Sequence, residues 1–126
     1  MRLIERPSPN CDDRPAGQII DMLVLHYTDM ASAEVSLARL CDPVAQVSSH
    51  YLIDEDGTIY ALVPEEKRAW HAGVSYWRGE TAINARSIGI ELQNPGHSLG
   101  YRPFPEAQIA ALIELVQGIQ GRHPIP

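Results

Sequence analysis

The longest apolar stretch of the chain ends in a histidine. Residues 19–25 are apolar except for Asp21, and His26, Tyr27 and Thr28 follow directly. A strand over residues 19–28 would be apolar on both faces, which is typical of a central strand. The ends of central strands are where α/β folds place ligand sites. The pattern therefore predicts a central strand over residues 19–28 that carries the His26 imidazole to its end.

A helix and a hairpin are predicted next along the chain. Ser32 is suited to cap a helix that runs to about Cys41. Residues 47–53 and 58–63 are rich in β-formers and flank the turn Asp-Glu-Asp-Gly at 54–57. Two such runs joined by a short Asp/Gly turn indicate a β-hairpin.

Residues 87–93 alternate between two kinds of side chain and predict a further strand. Ile88, Ile90 and Leu92 share one face, and the opposite face carries Gly89, Glu91 and Gln93. A glycine inside a strand costs stability and often marks a close approach to the backbone. We therefore expect a neighbouring group or a ligand beside Gly89.

A second helix is predicted near the end of the sequence. Pro105 suits the first turn of a helix that runs to about Gln120. Apolar residues recur there at helical spacing and predict a core-facing stripe. The stripe consists of Ile109, Leu112, Ile113, Val116 and Ile119.

The remaining segments have no sustained period. Residues 1–18 contain three prolines and are predicted to form an irregular arm, and residues 70–85 and 94–104 are predicted to be loops. A loop as long as residues 70–85 in a compact domain is usually functional or disordered. At 126 residues the chain is expected to form one α/β domain.

Charge and hydropathy narrow the choice of partner. The formal net charge of -6 argues against a binder of nucleic acid or of anionic membranes, because both need a basic surface. No apolar run is long enough to span a bilayer. The N-terminus lacks the apolar core of a signal peptide, so we expect a cytoplasmic location, with a periplasmic or exported protein trimmed at its N-terminus as the alternative.

His26 has two interpretations from the residues alone: a hydrogen-bonded structural histidine or a metal ligand. A catalytic zinc takes three protein ligands and a water. The other histidines are His50, His71, His97 and His123. None of them forms a pair at the i, i+4 spacing of a helical zinc motif, so any site would be assembled from distant segments.

Glu91 also has two interpretations. It is either a carboxylate on the wetter face of a strand or a general base that acts on a metal-bound water. Trp70 and Trp77 flank the long loop, where they would serve as core residues or as an apolar platform beside a cleft. Metal-assisted hydrolysis is the one type of reaction for which the sequence offers several of the required groups.

Four segments, in order, carry a resemblance to a known family. They are Leu-His-Tyr-Thr at 25–28, the hairpin sequence at 47–57, Ala-Trp-His-Ala-Gly at 69–73 and Ser-Ile-Gly-Ile-Glu-Leu at 87–92. Together they resemble the zinc-dependent N-acetylmuramoyl-L-alanine amidases of type 2, which share their fold with peptidoglycan recognition proteins. The resemblance implies an α/β domain with a mixed central β-sheet flanked by helices and a zinc cleft at one sheet end.

The resemblance also implies roles for individual residues. His26 would be a zinc ligand, and Glu91 would activate the zinc-bound water that hydrolyses the amide between N-acetylmuramic acid and L-alanine in peptidoglycan or muropeptides. Ser49 stands where phage-type relatives carry a catalytic tyrosine, which favours the branch that relies on Glu91. The implied substrate-binding residues are Tyr27, His50, Trp70, His71, Ala72, Asn84 and Arg86.

The resemblance leaves part of the zinc site unassigned. In the family the other ligands follow the long helix, so we expect them beyond Pro126, with residues 1–126 forming the N-terminal and central portion of one amidase-like domain. Such a chain is expected to associate with a C-terminal fragment or with a second copy. The alternative function is a non-catalytic module that binds muramyl peptide or peptidoglycan.

Overall fold

The protein is built on a five-stranded mixed sheet with a helix on each face. The computed structural model describes residues 1–72, 82–96, 100 and 102–126. The elements in chain order are β1 (Leu3–Glu5), β2 (Cys11–Asp13), β3 (Met22–Tyr27), α1 (Ala33–Leu40), β4 (Tyr51–Ile53), β5 (Ile59–Ala61), β6 (Lys67–Ala69), α2 (Ile83–Arg86), β7 (Ser87–Leu92) and α3 (Glu106–Arg122). The main sheet has the order β1-β5-β4-β7-β3, and β2 pairs with β6 in a separate two-stranded sheet.

The predicted hairpin and the predicted strand over 87–93 are confirmed. Strands β4 and β5 pair antiparallel across the turn, and β7 lies between β4 and β3, parallel to both. Because β7 is hydrogen-bonded to a strand at each of its two edges, it is a central strand of the sheet. This position places the alternating side chains of β7 against both helical layers.

The two faces of the sheet pack against different helices. On one face the apolar side chains of β7 pack against α3 in the larger core, which contains Ile88, Ile90, Leu92, Ala111, Leu115 and Ile119. On the other face Leu52 packs with Leu37 and Leu40 of α1. The arrangement confirms the expected α/β class with a mixed central sheet flanked by helices.

Helix α1 begins where the sequence predicts. The Ser32 side chain accepts a hydrogen bond from the Val35 N–H at 3.3 Å, which satisfies one of the free donors of the first turn. The helix ends at Leu40, one residue before the predicted end. Ser32 thus defines the start of the helix that covers the Glu91 face of the sheet.

The first 18 residues are not an irregular arm. They contain β1, which pairs parallel with β5, and β2, which pairs antiparallel with β6. Their backbone partners lie more than 50 positions away along the chain, whereas the equally short β4 and β5 pair with each other across a local turn. Local sequence patterns therefore could not reveal them.

The strand that carries His26 is not central in the part of the chain that the structure describes. Strand β3 spans Met22–Tyr27 and lies at the end of the strand order, beside β7 only. Leu25 and Tyr27 are each 48% exposed. The apolar run predicted burial on both sides, but burial depends on which neighbours the fold supplies.

The stripe predicted for α3 is rotated in the structure. Ile119 is fully buried as expected, but Ile113 is 54% exposed, and the buried positions include Gln108. The Gln108 side-chain amide donates to the carbonyls of Ile53 and Gln93 at 2.9 and 3.0 Å. A polar residue therefore faces the sheet, because it satisfies two carbonyls there.

Two predicted loops fall partly outside the described residues. The structure does not describe positions 73–81, which include Trp77, or positions 97–99, which include His97. In the part of the chain that is described, no helix is long and apolar enough to cross a membrane.

Candidate active site

His26 and Glu91 lie side by side at the carboxyl ends of two parallel strands. They are paired residues in the register of β3 and β7, so their side chains project from the same face of the sheet. Open α/β sheets place ligand sites at this end of their strands. The sequence placed both residues on strands, but only the pairing of β3 with β7 brings them together.

His71 completes a chain of polar contacts with His26. The His26 Nε2 and His71 Nδ1 atoms are 3.2 Å apart, and the His71 Nε2 lies 2.9 Å from the Ser87 hydroxyl. A Cβ on residue 89 would lie 2.5 Å from Cγ of the His71 ring. The close approach expected at Gly89 is therefore confirmed, and the approaching group is His71.

Burial keeps both histidines neutral near neutral pH. Desolvation lowers the pKa of His26, and desolvation together with the nearby His50 and His26 brings the pKa of His71 to about 3. A neutral imidazole carries one N–H donor and one bare nitrogen acceptor. The pair can therefore share one N–H···N hydrogen bond.

Glu91 is a carboxylate without its normal complement of hydrogen bonds. Its Oε2 atom is buried and has no hydrogen-bond partner among the described residues. Burial raises the pKa of Glu91 to about 7. A carboxylate with a pKa near neutrality is suited to accept and return a proton.

The two histidines stand between two cavities. Glu91, His71 and Trp70 line a cavity of about 150 Å³ on the α1 side of the sheet. His26, Ala72 and Arg86 line a larger, mainly apolar cavity of about 530 Å³ that also runs beside α3. The structure thus gathers most of the predicted site residues around the ends of β3 and β7.

Other predicted substrate contacts already have partners within the fold. The Asn84 Oδ1 accepts hydrogen bonds from the backbone N–H groups of His71 and Ala72 at 3.2 and 2.8 Å. The Arg86 guanidinium pairs with both carboxylate oxygens of Asp21. Asn84 thereby fixes the backbone that carries His71, and Tyr27 remains half-exposed at the end of β3.

The substrate contact predicted for His50 does not agree with the structure. His50 is 0% exposed; its Nδ1 accepts from the Gly89 N–H at 3.1 Å, and its Nε2 lies 2.9 Å from the Lys67 carbonyl. Burial brings its pKa to about 4. Both nitrogens serve the fold, so His50 is a structural histidine that bridges β7 and β6.

Arg14 and Ser87 are members of this region that the sequence did not indicate. Arg14 donates to the carbonyls of Asn84, Ala85 and Ser87 at 3.1, 3.0 and 2.9 Å, which caps the carboxyl end of α2. Its only sequence signal was a charge within the presumed arm. Ser87 was recognised as the start of a strand, but nothing in the pattern paired its hydroxyl with His71.

The described residues account for only part of a catalytic zinc site. The imidazole of His26 is a suitable zinc ligand, but three protein ligands are needed. No cluster of three or more His, Cys, Asp or Glu side chains that could hold a metal occurs within 1–72, 82–96, 100 and 102–126. His26 is therefore suited to be one zinc ligand, and the described ranges do not supply the other two at the same place.

Comparison with known proteins identifies the family. A family model described as N-acetylmuramoyl-L-alanine amidase matches residues 16–126. The N-acetylmuramoyl-L-alanine amidase AmiD of Escherichia coli is 43% identical over 98% of this chain and 49% of its own length. The 1,6-anhydro-N-acetylmuramyl-L-alanine amidase AmpD of Enterobacter cloacae is 33% identical over 94% of this chain and 70% of its own length. The chain thus spans about half the length of AmiD.

Solved structures agree with the sequence comparison. A complex of Escherichia coli AmiD with the substrate anhydro-N-acetylmuramic acid-L-Ala-D-gamma-Glu-L-Lys has a TM-score of 0.77 at 42% identity, over 90% of this chain and 48% of that chain. A selenomethionyl derivative of AmpD has a TM-score of 0.78 at 33% identity, over 98% of this chain and 75% of that chain. The family match over most of the sequence and these relatives establish that the chain belongs to the N-acetylmuramoyl-L-alanine amidase family.

Proposed function

We propose that the protein hydrolyses the amide between N-acetylmuramic acid and L-alanine in muropeptides or peptidoglycan. The observation that carries the proposal is the pairing of His26 with Glu91 at the ends of β3 and β7. Its support also includes the membership of the family and the likeness to AmiD, which was solved with an anhydromuramyl tripeptide substrate.

In this reaction Glu91 moves the proton. Its carboxylate, with a pKa of about 7, takes a proton from the attacking water as the new C–O bond forms at the amide carbonyl. The same proton then passes to the nitrogen of L-alanine when the C–N bond breaks. The products are the free lactyl carboxylate and the free amine of the peptide. The Glu91 Oε2 atom is buried and accepts no hydrogen bond from the described residues, so no described donor competes with this proton for the oxygen.

The cofactor we propose is zinc. The family is generally zinc-dependent, and His26 is the ligand that the described residues offer. A bound zinc lowers the pKa of water and polarises a carbonyl. Further ligands from outside the described residues are part of this proposal, as is the expectation that they follow Pro126.

The substrate cleft is proposed to lie over the small cavity between α1 and the sheet. Trp70 and His71 line that cavity together with Glu91, and Tyr27 lies at the end of β3 with half its surface exposed. An aromatic side chain such as Trp70 is suited to cover the apolar face of a sugar ring. Ala72 and Arg86 line the neighbouring cavity, where the peptide stem could lie.

A non-catalytic binding module is the second candidate. It is favoured by one observation: the described residues hold no cluster of three metal-ligating side chains. A module that binds muramyl peptide needs no complete metal site, and the same clefts would serve it. The two candidates differ in whether the amide is cut.

The test is direct. The protein expressed from its complete coding sequence is incubated with anhydro-muramyl tripeptide and zinc, and the released peptide is measured by mass spectrometry; the control contains a chelator in place of zinc. Zinc-dependent release supports the amidase. Saturable binding without release supports the binding module, and the absence of both contradicts both candidates.

A further inference from the structure

Among the described residues the Ser87 hydroxyl has two polar neighbours, and it carries one proton. Its Oγ lies 2.7 Å from the Ile83 carbonyl oxygen and 2.9 Å from the His71 Nε2. A carbonyl oxygen can only accept, so the Ser87 proton points to Ile83. The contact with His71 is then a hydrogen bond in which the His71 Nε2–H donates to Ser87 Oγ.

This assignment fixes the other nitrogen of His71. A neutral imidazole with its proton on Nε2 has a bare Nδ1. The His71 Nδ1 lies 3.2 Å from the His26 Nε2, so His26 must donate this hydrogen bond. The proton of His26 is then on Nε2, and its Nδ1 carries the lone pair.

The surroundings of His71 hold the ring in one orientation. The Gly89 backbone lies against the ring, and the Asn84 side chain fixes the backbone N–H of residue 71. A ring flip would exchange both nitrogens for carbon atoms and lose the hydrogen bonds to Ser87 and to His26. The His71 ring occupies the space that a side chain on residue 89 would need, so glycine at this position allows the ring to lie against the strand.

We propose that His71 is a positioning residue which, anchored on Ser87, holds His26 in the tautomer that presents a bare Nδ1. The substrate contact that the resemblance implies for His71 stays a separate prediction. The functional value of the tautomer rests on the proposed function, because His26 acts there as a ligand. A metal ligand whose other ring nitrogen is held by a hydrogen bond has a fixed ring orientation, and loss of such partners typically lowers metal affinity about 10- to 100-fold.

The tautomers can be read directly by NMR. Long-range ¹H–¹⁵N correlation spectra of the ¹⁵N-labelled, metal-free protein, expressed from its complete coding sequence, distinguish Nδ1–H from Nε2–H for each histidine at pH 7.5. We expect the Nε2–H pattern for both His26 and His71. In Ser87→Ala the acceptor for His71 is lost, so His71 and His26 should both change to a mixture of tautomers.

The matched control is Ser8→Ala. Ser8 is also buried, and its hydroxyl also donates to a carbonyl, that of Leu40, while accepting from the Asn10 N–H. This variant loses the same kind of hydrogen bonds away from the histidines and should leave both tautomers unchanged. If Ser87→Ala does not fold, Ser87→Cys keeps the shape with a much weaker donor and acceptor.

Several results would overturn the proposal. A wild-type spectrum with the proton of His26 on Nδ1 contradicts it without any variant. Unchanged patterns in Ser87→Ala, or an equal change in Ser8→Ala, also contradict it. Since these spectra need neither zinc nor substrate, failure here is distinguishable from failure of the amidase assay.

Discussion

Glu65 and Glu91 are two glutamates largely withdrawn from solvent whose acidities differ in opposite directions. Burial raises the pKa of Glu65, but hydrogen bonds from Arg122, Tyr51 and His123 outweigh it and bring the pKa to about 2. The Arg122 Nε and the His123 Nε2 lie 3.0 and 2.8 Å from the Glu65 Oε1. Glu91 is buried, its Oε2 has no donor among the described residues, and its pKa is about 7.

The difference shows what separates a structural carboxylate from a functional one. Glu65 lies in the loop before β6 and binds Arg122 at the end of α3. Its negative charge is stabilised by the hydrogen bonds that its carboxylate accepts. Glu91 has a buried oxygen with no described donor, so its charge is costly and available for a reaction. Burial raises the pKa of both carboxyl groups, and the donors that face Glu65, but not the Glu91 Oε2 among the described residues, decide which one can exchange a proton near neutral pH.

The largest expected effect is on turnover. Glu91→Gln in the full-length protein should lower the rate of peptide release about 10²- to 10⁴-fold, because the general base is lost. The same assay on Glu65→Gln should retain most of the turnover at a temperature where both variants are folded. Equal losses in the two variants would show that the contrast between the glutamates has no bearing on catalysis.

The next prediction concerns pH and stability. The pKa of Glu91 is raised from its ordinary value of 4.5 to about 7 in the folded protein, so the folded state holds its proton longer than the unfolded state. The free energy of unfolding should therefore fall as pH rises from about 4.5 to about 7 and level off above, by about 3 kcal/mol from this group.

Denaturant titrations of wild type and Glu91→Gln between pH 4 and pH 8 measure this contribution. The variant should be more stable relative to wild type at pH 8 than at pH 4. A difference that stays constant with pH would mean that Glu91 is not held protonated by burial.

Glu65→Gln tests the other half of the comparison. The substitution removes the charge that Arg122 and Tyr51 face, and should lower the free energy of unfolding by about 2 kcal/mol at pH 7. Since the pKa of Glu65 is lowered from 4.5 to about 2, this contribution is present above pH 4.5 and is lost as pH falls towards 2. Glu66→Gln, at an exposed neighbour, is the control and should change little.

The smallest expected effect is that of Tyr51→Phe. Its hydroxyl donates to the Glu65 carboxylate, and burial together with that hydrogen bond raises the pKa of Tyr51. Loss of one such bond should lower the free energy of unfolding by about 1 kcal/mol, since Arg122 and His123 still hold Glu65. A loss as large as that of Glu65→Gln would mean that the hydrogen bond from Tyr51 accounts for most of the stability that Glu65 contributes.

Local patterns predicted the elements with strong periods and missed those defined by distant partners. The alternation over residues 87–93 gave β7 and the face of Glu91, and Ser32 gave the start of α1. Strands β1, β2 and β6 have three residues each and form only because distant backbone groups pair with them. The fully buried Gln108 likewise reflects two carbonyls at the sheet end, which no helical period indicates.

The sequence by itself determined the α/β class, the order of the main elements, the family resemblance and the positions of His26 and Glu91 on strands. Tertiary structure decided that these two strands are parallel neighbours, that β3 is an edge strand among the described residues, and that His71 stands between Ser87 and His26. It also gave His50 a structural role and Glu91 its raised pKa. Periodicity records which side of an element is apolar, whereas hydrogen-bond partners and desolvation depend on groups far away in the chain.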